Sequence, residues 1–175
     1  MLSEVMPLQM PVDDAVARLL LARAAEAHRL AAWILRDPVG AEDVVQEAAL
    51  VAWSRRASLR NASSAEAWFN RIVVNACRDE LRRRARRRRL PQLEPTADAP
   101  SDDFAVRDEI DRSVARLTPD EQVVLGLRFG RDLTIPQIAA QMGLPEGTVK
   151  SRLHHALEHV RVALAAERRA EELQR

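Results

Sequence analysis

Apolar residues recur at three- and four-residue steps along most of the chain, and no stretch alternates apolar and polar as a half-buried strand does. The pattern predicts an all-α protein. From about Asp13 to Leu35, Val16, Leu19, Leu20, Ala27, Leu30 and Ile34 share a seam. Arg23 falls on the same side, where its long stem can carry the charge out to water. Asp37-Pro38 breaks the run, because the residue before proline avoids helical angles. A second helix is predicted from about Ala41 to Arg56, with Val44, Val45, Ala48 and Ala52 inward and Glu42, Asp43, Gln46 and Glu47 mostly outward. Residues 57–62 read as a loop. Ser63 and Glu66 then make a capping box that starts a long helix ending near Arg87, with Trp68, Ile72, Val73 and Ala76 as its inner stripe.

Periodicity stops at residues 90–103, LPQLEPTADAPSDD, whose three prolines and acidic side chains mark a flexible linker. It resumes near Phe104 with Val106, Ile110, Val114 and Leu117. Thr118-Pro119-Asp120-Glu121 is another capping box, with proline at the favoured first position. Val123, Val124, Leu127 and Phe129 follow, and Gly130 closes that helix. The division expected is an unstructured 1–12, a helical domain 13–89, the linker 90–103, a second helical domain 104–166 and a charged tail 167–175.

The segment TIPQIAAQMGLPEGTVKSRLHHALEHVR, residues 134–161, reads as two helices about a tight turn. Thr134 and Gln137 cap the first, Ile138, Ala139 and Met142 line it, and Gly143 ends it by entering the left-handed cap conformation. The second places Val149, Leu153, Ala156 and Val160 on one stripe and Lys150, Ser151, His154 and His155 on another. This is the layout of a helix-turn-helix whose second helix enters a DNA major groove.

Net charge is only +1, but its distribution matters more than its sum. Residues 78–89 hold eight arginines, whereas residues 90–109 hold six acids and one arginine. On the long helix, Arg71, Asn75, Arg78, Arg82 and Arg86 step by four, three, four and four residues and so share a side. A ridge of that kind suits a phosphate backbone, and its single amide suits an exposed base. Cys77 is the only cysteine, so no disulfide forms within the chain, and its position beside an apolar stripe predicts a packed residue. Leu19-Leu20-Leu21-Ala22 is too short for a signal core or a membrane span, which points to a cytoplasmic protein without membrane insertion. Gly-rich phosphate loops, metal-ligand clusters and base-paired nucleophiles are missing from the pattern, so neither an enzyme nor a cofactor or metal is expected. The His155/His159 pair, one turn apart, is too small a ligand set for a metal site.

Taken in order, these features resemble a bacterial sigma factor of the extracytoplasmic-function (ECF) group, the minimal branch of the sigma-70 family. Three segments carry the resemblance: AEDVVQEAALVAW at 41–53, AWFNRIVVNACRDELRRRARR at 67–87, and LTPDEQVVLGLRF followed by IAAQMGLPEGTVKSRLHHA at 117–156. It implies a region 2 domain and a region 4 domain that join core RNA polymerase, through its β′ clamp helices and β subunit, and direct it to promoter DNA. Asp43, Gln46 and Glu47 match the helix that docks on the clamp helices. Asn75 matches the asparagine at the minus-ten pocket, completed by the loop from Ser58 to Ser64, while Arg78, Arg82, Arg83 and Arg86 would hold phosphates alongside Arg71. Lys150, Ser151, His154 and His155 match positions facing minus-thirty-five bases, and Thr148 and Arg152 match backbone contacts. Anti-sigma factors are further partners of such proteins. Leu59 departs from the family by replacing a frequent aromatic, and His155 and Leu157 stand where relatives often carry arginine. Two other readings fit parts of the pattern: a helix-turn-helix regulator that never joins polymerase, and a sigma-like antagonist that cannot open promoters.

Overall fold

The computed structural model describes residues 12–59, 61, 64–89 and 105–173. Of the expected unstructured segment 1–12, residues 1–11 lie outside the described residues, as do the capping residue Ser63 and the linker 90–103, whereas Val12 opens the first helix. Among the described residues, seven α-helices form the fold: α1 (Val12–Leu35), α2 (Pro38–Ser54), α3 (Ala65–Arg89), α4 (Ala105–Ala115), α5 (Pro119–Leu125), α6 (Ile135–Met142) and α7 (Glu146–Leu173). A 3₁₀ turn, Arg56–Ser58, follows α2, and α5 widens into a π-type turn over Gly126–Gly130.

Local chemistry accounts for the helix ends. Arg36 leaves α1 in the left-handed region with φ of 53°. The next helix starts three residues earlier than periodicity suggests, because Asp37 is its N-cap and Pro38 its first residue. Asp37 Oδ1 accepts from Gly40 N–H at 2.9 Å, and this bond leads the effects that hold the Asp37 carboxyl below its ordinary value. Glu121 N–H donates to Thr118 Oγ1 at 3.3 Å, and Glu121 Oε2 accepts from Thr118 N–H at 2.9 Å, the reciprocal pair expected of a capping box. At α6, Gln137 Oε1 accepts from Thr134 N–H at 2.8 Å. Gly143 takes φ of 65° and sends its N–H to Ala139 O, and Leu144 N–H also reaches Ala139 O at 3.0 Å. A side chain at that angle costs about 1–2 kcal/mol, which explains glycine there.

In the first lobe, α1, α2 and α3 pack around Ala27, Leu30, Ile34, Val44, Ala48, Phe69 and Val73. The expected stripe of α3 is too narrow. Trp68 and Ala76 are only partly buried, while Phe69, Ile72, Val73, Val74, Cys77 and Leu81 are buried. Residues 72–74 are consecutive, so α3 buries faces on two sides. Its second side meets the other lobe: Val123, Val124, Leu127, Ile138, Met142 and Val149 belong to the same apolar cluster as the first-lobe core. A satellite cluster of Val114, Leu117, Leu125 and Ala156 joins α4, α5 and α7. Ile110 and Phe129, expected in apolar stripes, are exposed instead. Arg128 caps the Phe129 ring, with its guanidinium carbon 6.0 Å from the centroid.

Two glycines let the lobes approach closely. A Cβ on Gly126 would lie 2.4 Å from Ile34 Cγ1, and one on Gly130 would lie 2.7 Å from the Trp33 ring. Ion pairs border that contact: Arg131 reaches Glu26 at 2.5 Å, and Arg36 pairs with Asp111.

Candidate nucleic-acid and polymerase interface

Periodicity alone orients the predicted site residues, and the fold then sorts them into three surfaces. On α2, Asp43, Gln46 and Glu47 are all exposed. One of them is already engaged: Glu47 Oε2 accepts from Arg83 Nη2 at 3.0 Å, tying α2 to α3. Leu20, Gln46, Ala49, Leu50 and Trp53 line an open apolar hollow beside these acids. The outermost of its aliphatic residues, Leu50, is 71% exposed.

The α3 ridge is the second surface. Arg71, Asn75, Arg82 and Arg86 are exposed and Arg78 is half-buried. Much of the ridge faces the second lobe. Arg71 Nη2 donates to the carbonyl of Ala140 on α6 at 2.8 Å. Arg78 Nε lies 3.1 Å, and Arg82 Nη2 3.9 Å, from Asp120 Oδ1 on α5. Arg83 belongs to a different network. Its guanidinium binds Glu47 and Glu80, which hold it even more firmly protonated than usual. Glu80 also accepts from Arg84 Nε at 2.8 Å and Arg87 Nη2 at 3.1 Å. Burial works to raise the Glu80 pKa, but the hydrogen bonds from Arg84 and Arg83 outweigh it and leave the carboxyl below its ordinary value. Arg84 then reaches Asp37 Oδ2 at 2.8 Å, so this arginine, absent from the predicted site, ties the N-cap of α2 to α3. Cys77 is fully buried beside the ridge, and burial pushes its thiol up to about 12, so it is inert.

The third surface is α7. Val149 and Ala156 are fully buried, which sets the helix rotation. Lys150, Ser151, His154 and His155 are exposed on the opposite side as expected, and the two imidazole centroids lie 5.8 Å apart. Thr148 and Arg152 are half-exposed at the edge. Arg152 Nη1 pairs with Asp120 Oδ2 at 3.1 Å. His159 Nδ1 sits 3.4 Å from Glu121 Oε1, so this mid-helix histidine faces the α5 cap. Periodicity did not reveal the carboxylates that meet these cations. Asp120 reads in sequence as an ordinary first-turn acid, and only the helix packing brings three arginines to it.

Leu59 is half-buried after the 3₁₀ turn, and Ser58 closes that turn by donating to Arg55 O at 2.7 Å. Among the described residues, no His, Cys, Asp or Glu trio is placed to hold a metal ion. No described helix is long and apolar enough to cross a membrane.

Comparison with known proteins gives first the class of these two helical lobes and then the family. Residues 19–87 match the model of Sigma-70 region 2, and residues 114–162 match that of Sigma-70 region 4. The chain is 35% identical over 149 residues to the ECF RNA polymerase sigma factor SigL of Mycobacterium tuberculosis, covering 81% of this chain and 84% of that one. It is 32% identical over 143 residues to the RNA polymerase sigma-E factor of Streptomyces coelicolor, covering 79% of each. In solved structures, the fold is similar to the sigma factor RpoE of Bartonella quintana in complex with the anti-sigma factor NepR, with a TM-score of 0.59, 22% identity and coverage of 85% and 96%. CnrH in complex with the cytosolic domain of CnrY gives a TM-score of 0.59 at 23% identity, covering 89% of this chain and 95% of that one. The chain belongs to the ECF group of sigma-70 family RNA polymerase sigma factors and is a transcription initiation factor.

Proposed function

We propose that the three surfaces divide the work of initiation: α2 docks on the β′ clamp helices of core polymerase, α3 captures the minus-ten element, and α7 reads the minus-thirty-five duplex. The observation that carries this reading is the exposed row Lys150, Ser151, His154 and His155, held outward by buried Val149 and Ala156. Lysine, hydroxyl and imidazole offer donors and acceptors to base edges in a major groove. Thr148 and Arg152, at the edge of that face, suit phosphates, which set register without reading sequence.

On α3, Asn75 is exposed, and its amide can offer both a donor and an acceptor to a base turned out of the stack. Arg71, Arg78, Arg82, Arg83 and Arg86 supply charge for the backbone of the opened strand. Leu59 gives no aromatic face for stacking, worth about 1–3 kcal/mol per base elsewhere, so strand capture rests more heavily on Asn75 and the arginines. Asp43, Gln46 and Glu47 place acid and amide at one-turn spacing against a basic partner surface. The chain itself makes and breaks no bond; polymerase performs the chemistry. The apolar hollow at Leu50 and Trp53 adjoins those acids and would serve an anti-sigma factor as well as polymerase.

Runoff transcription with core polymerase on genomic fragments tests the reading. Discrete, sigma-dependent start sites are expected, and Asn75→Ala should suppress open-complex formation far more than duplex binding. Binding to core without any specific start would favour the antagonist, and DNA binding without association with core would favour the free regulator.

A further inference from the structure

Two histidines stand side by side on the outward row of α7. His154 and His155 are both exposed, and their ring centroids lie 5.8 Å apart with the planes at 61°. Among the described residues neither ring makes a hydrogen bond or an ion pair, so their ring nitrogens are uncommitted. His159, one turn on from His155, differs: its Nδ1 lies 3.4 Å from Glu121 Oε1 on α5. We propose that His154 and His155 make the base preference of the recognition helix depend on protonation, favouring guanine in acid and giving that preference up as the imidazoles lose their protons. The inference rests on the minus-thirty-five role assigned to α7 above.

The chemistry of the ring sets the direction. Imidazole is the side chain whose charge ordinarily changes between about pH 5 and 8. Neutral, it carries one N–H donor and one bare nitrogen, so it can accept from adenine N6 or cytosine N4 as well as donate to guanine. Protonated, both nitrogens donate and neither accepts. Guanine presents two acceptors, N7 and O6, so imidazolium keeps the guanine contact and loses those to adenine N6 and cytosine N4. A charged donor also makes the stronger bond. Guanine-bearing sites therefore take up protons on binding. Their affinity falls as pH rises through the imidazole range, by up to about tenfold per pH unit for each proton taken up. The charged groups facing the pair are of both signs: Lys150, Arg152 and Glu158 on α7, Asp120 and Glu121 on α5, and Arg82 and Arg86 on α3 across the cleft that His155 lines. The acids are engaged elsewhere, Asp120 with Arg152, Glu121 with Thr118 N–H and Glu158 with Arg161. The protonation state of the row is thus left to the phosphates and bases that meet it.

The test selects a randomised minus-thirty-five library with the holoenzyme, this chain plus core RNA polymerase, at about pH 6 and about pH 8 and fixed salt. Comparing sequences within one pool cancels any pH response of polymerase itself. A lysine stays charged throughout that range, so the base facing Lys150 is an internal reference. At the positions facing the two rings, wild type should enrich guanine over adenine and cytosine at least about fivefold more at the lower pH, the low end of what one good base contact discriminates. His154→Gln/His155→Gln keeps a donor and an acceptor that do not titrate, and should flatten this response. His155→Arg should hold guanine at its own position at both pH values. His159→Gln should leave the response intact. Selective binding with the same sequence profile at both pH values would overturn the proposal. So would a response that survives the double substitution or vanishes with His159. A holoenzyme that selects no upstream sequence at either pH would overturn the reading of α7 itself, and this proposal with it.

Discussion

The arginine ridge of α3 and the recognition face of α7 are both polar stripes on long helices, but the fold treats them oppositely. The α7 face is open, with Lys150, Ser151, His154 and His155 exposed. On the ridge, Arg71, Arg78 and Arg82 are turned against the second lobe, and Arg83 is held by Glu47 and Glu80. A helix-turn-helix meets intact duplex, so its face can stand ready. Under the roles proposed above, the ridge has no ligand until polymerase and promoter meet, and exposed arginines left without partners would attract any polyanion. The contrast teaches that similar stripes can differ in availability, which depends on the neighbouring lobe and not on the helix itself.

The largest effect expected on that contrast comes from the core both lobes share. Phe69 is 1% exposed in the cluster that spans them, and Phe69→Ala should cost about 3–5 kcal/mol in a urea titration. If the first lobe alone sets stability, removing second-lobe Leu127, fully buried in the same cluster, will leave the first-lobe transition untouched; the shared core predicts that it shifts too. Next, Arg82→Ala/Arg86→Ala should weaken holoenzyme binding to every promoter alike and flatten the salt dependence by about two phosphate contacts. A change confined to some promoters would contradict a backbone role. By comparison, Lys150→Ala and His155→Ala should redistribute preference among upstream sequences by about 1–3 kcal/mol, read from a randomised minus-thirty-five library. A uniform loss would place these residues on the backbone.

The smallest effects lie at the helix caps. Asp37→Ala should lower stability by about 1 kcal/mol at neutral pH. Because the folded carboxyl sits below its ordinary value, held first by Gly40 N–H and also by Arg84, its contribution is present at neutral pH and fades as pH falls through the folded pKa. Wild type and variant should therefore converge in strong acid, and a gap that widens there would refute the cap's electrostatic role.

Much of this was legible in the residues. Capping boxes at Thr118 and Thr134, the left-handed Gly143 and the outward row on α7 all follow from local chemistry and a 3.6-residue period. The start of α2 was missed although Asp37-Pro38 spells an N-cap and a first-turn proline; the same dipeptide that breaks one helix begins the next. Joining of the lobes was missed for a deeper reason. Periodicity tells which face of a helix is apolar, but not which element covers it. The run Ile72-Val73-Val74 signalled burial on two sides, and Gly126 and Gly130 signalled close approach, yet neither names its neighbour. Asp120 could not be singled out at all, since its importance arises only where α3, α5 and α7 meet.

The decisive measurement is the inter-lobe distance of the chain labelled at Val39→Cys and Val162→Cys, taken first alone and then with core RNA polymerase and promoter DNA. A short distance in the free chain and a long one in the complex are predicted. The same short distance in a transcriptionally active complex would contradict the account, because the ridge would then work while still folded against its partner lobe.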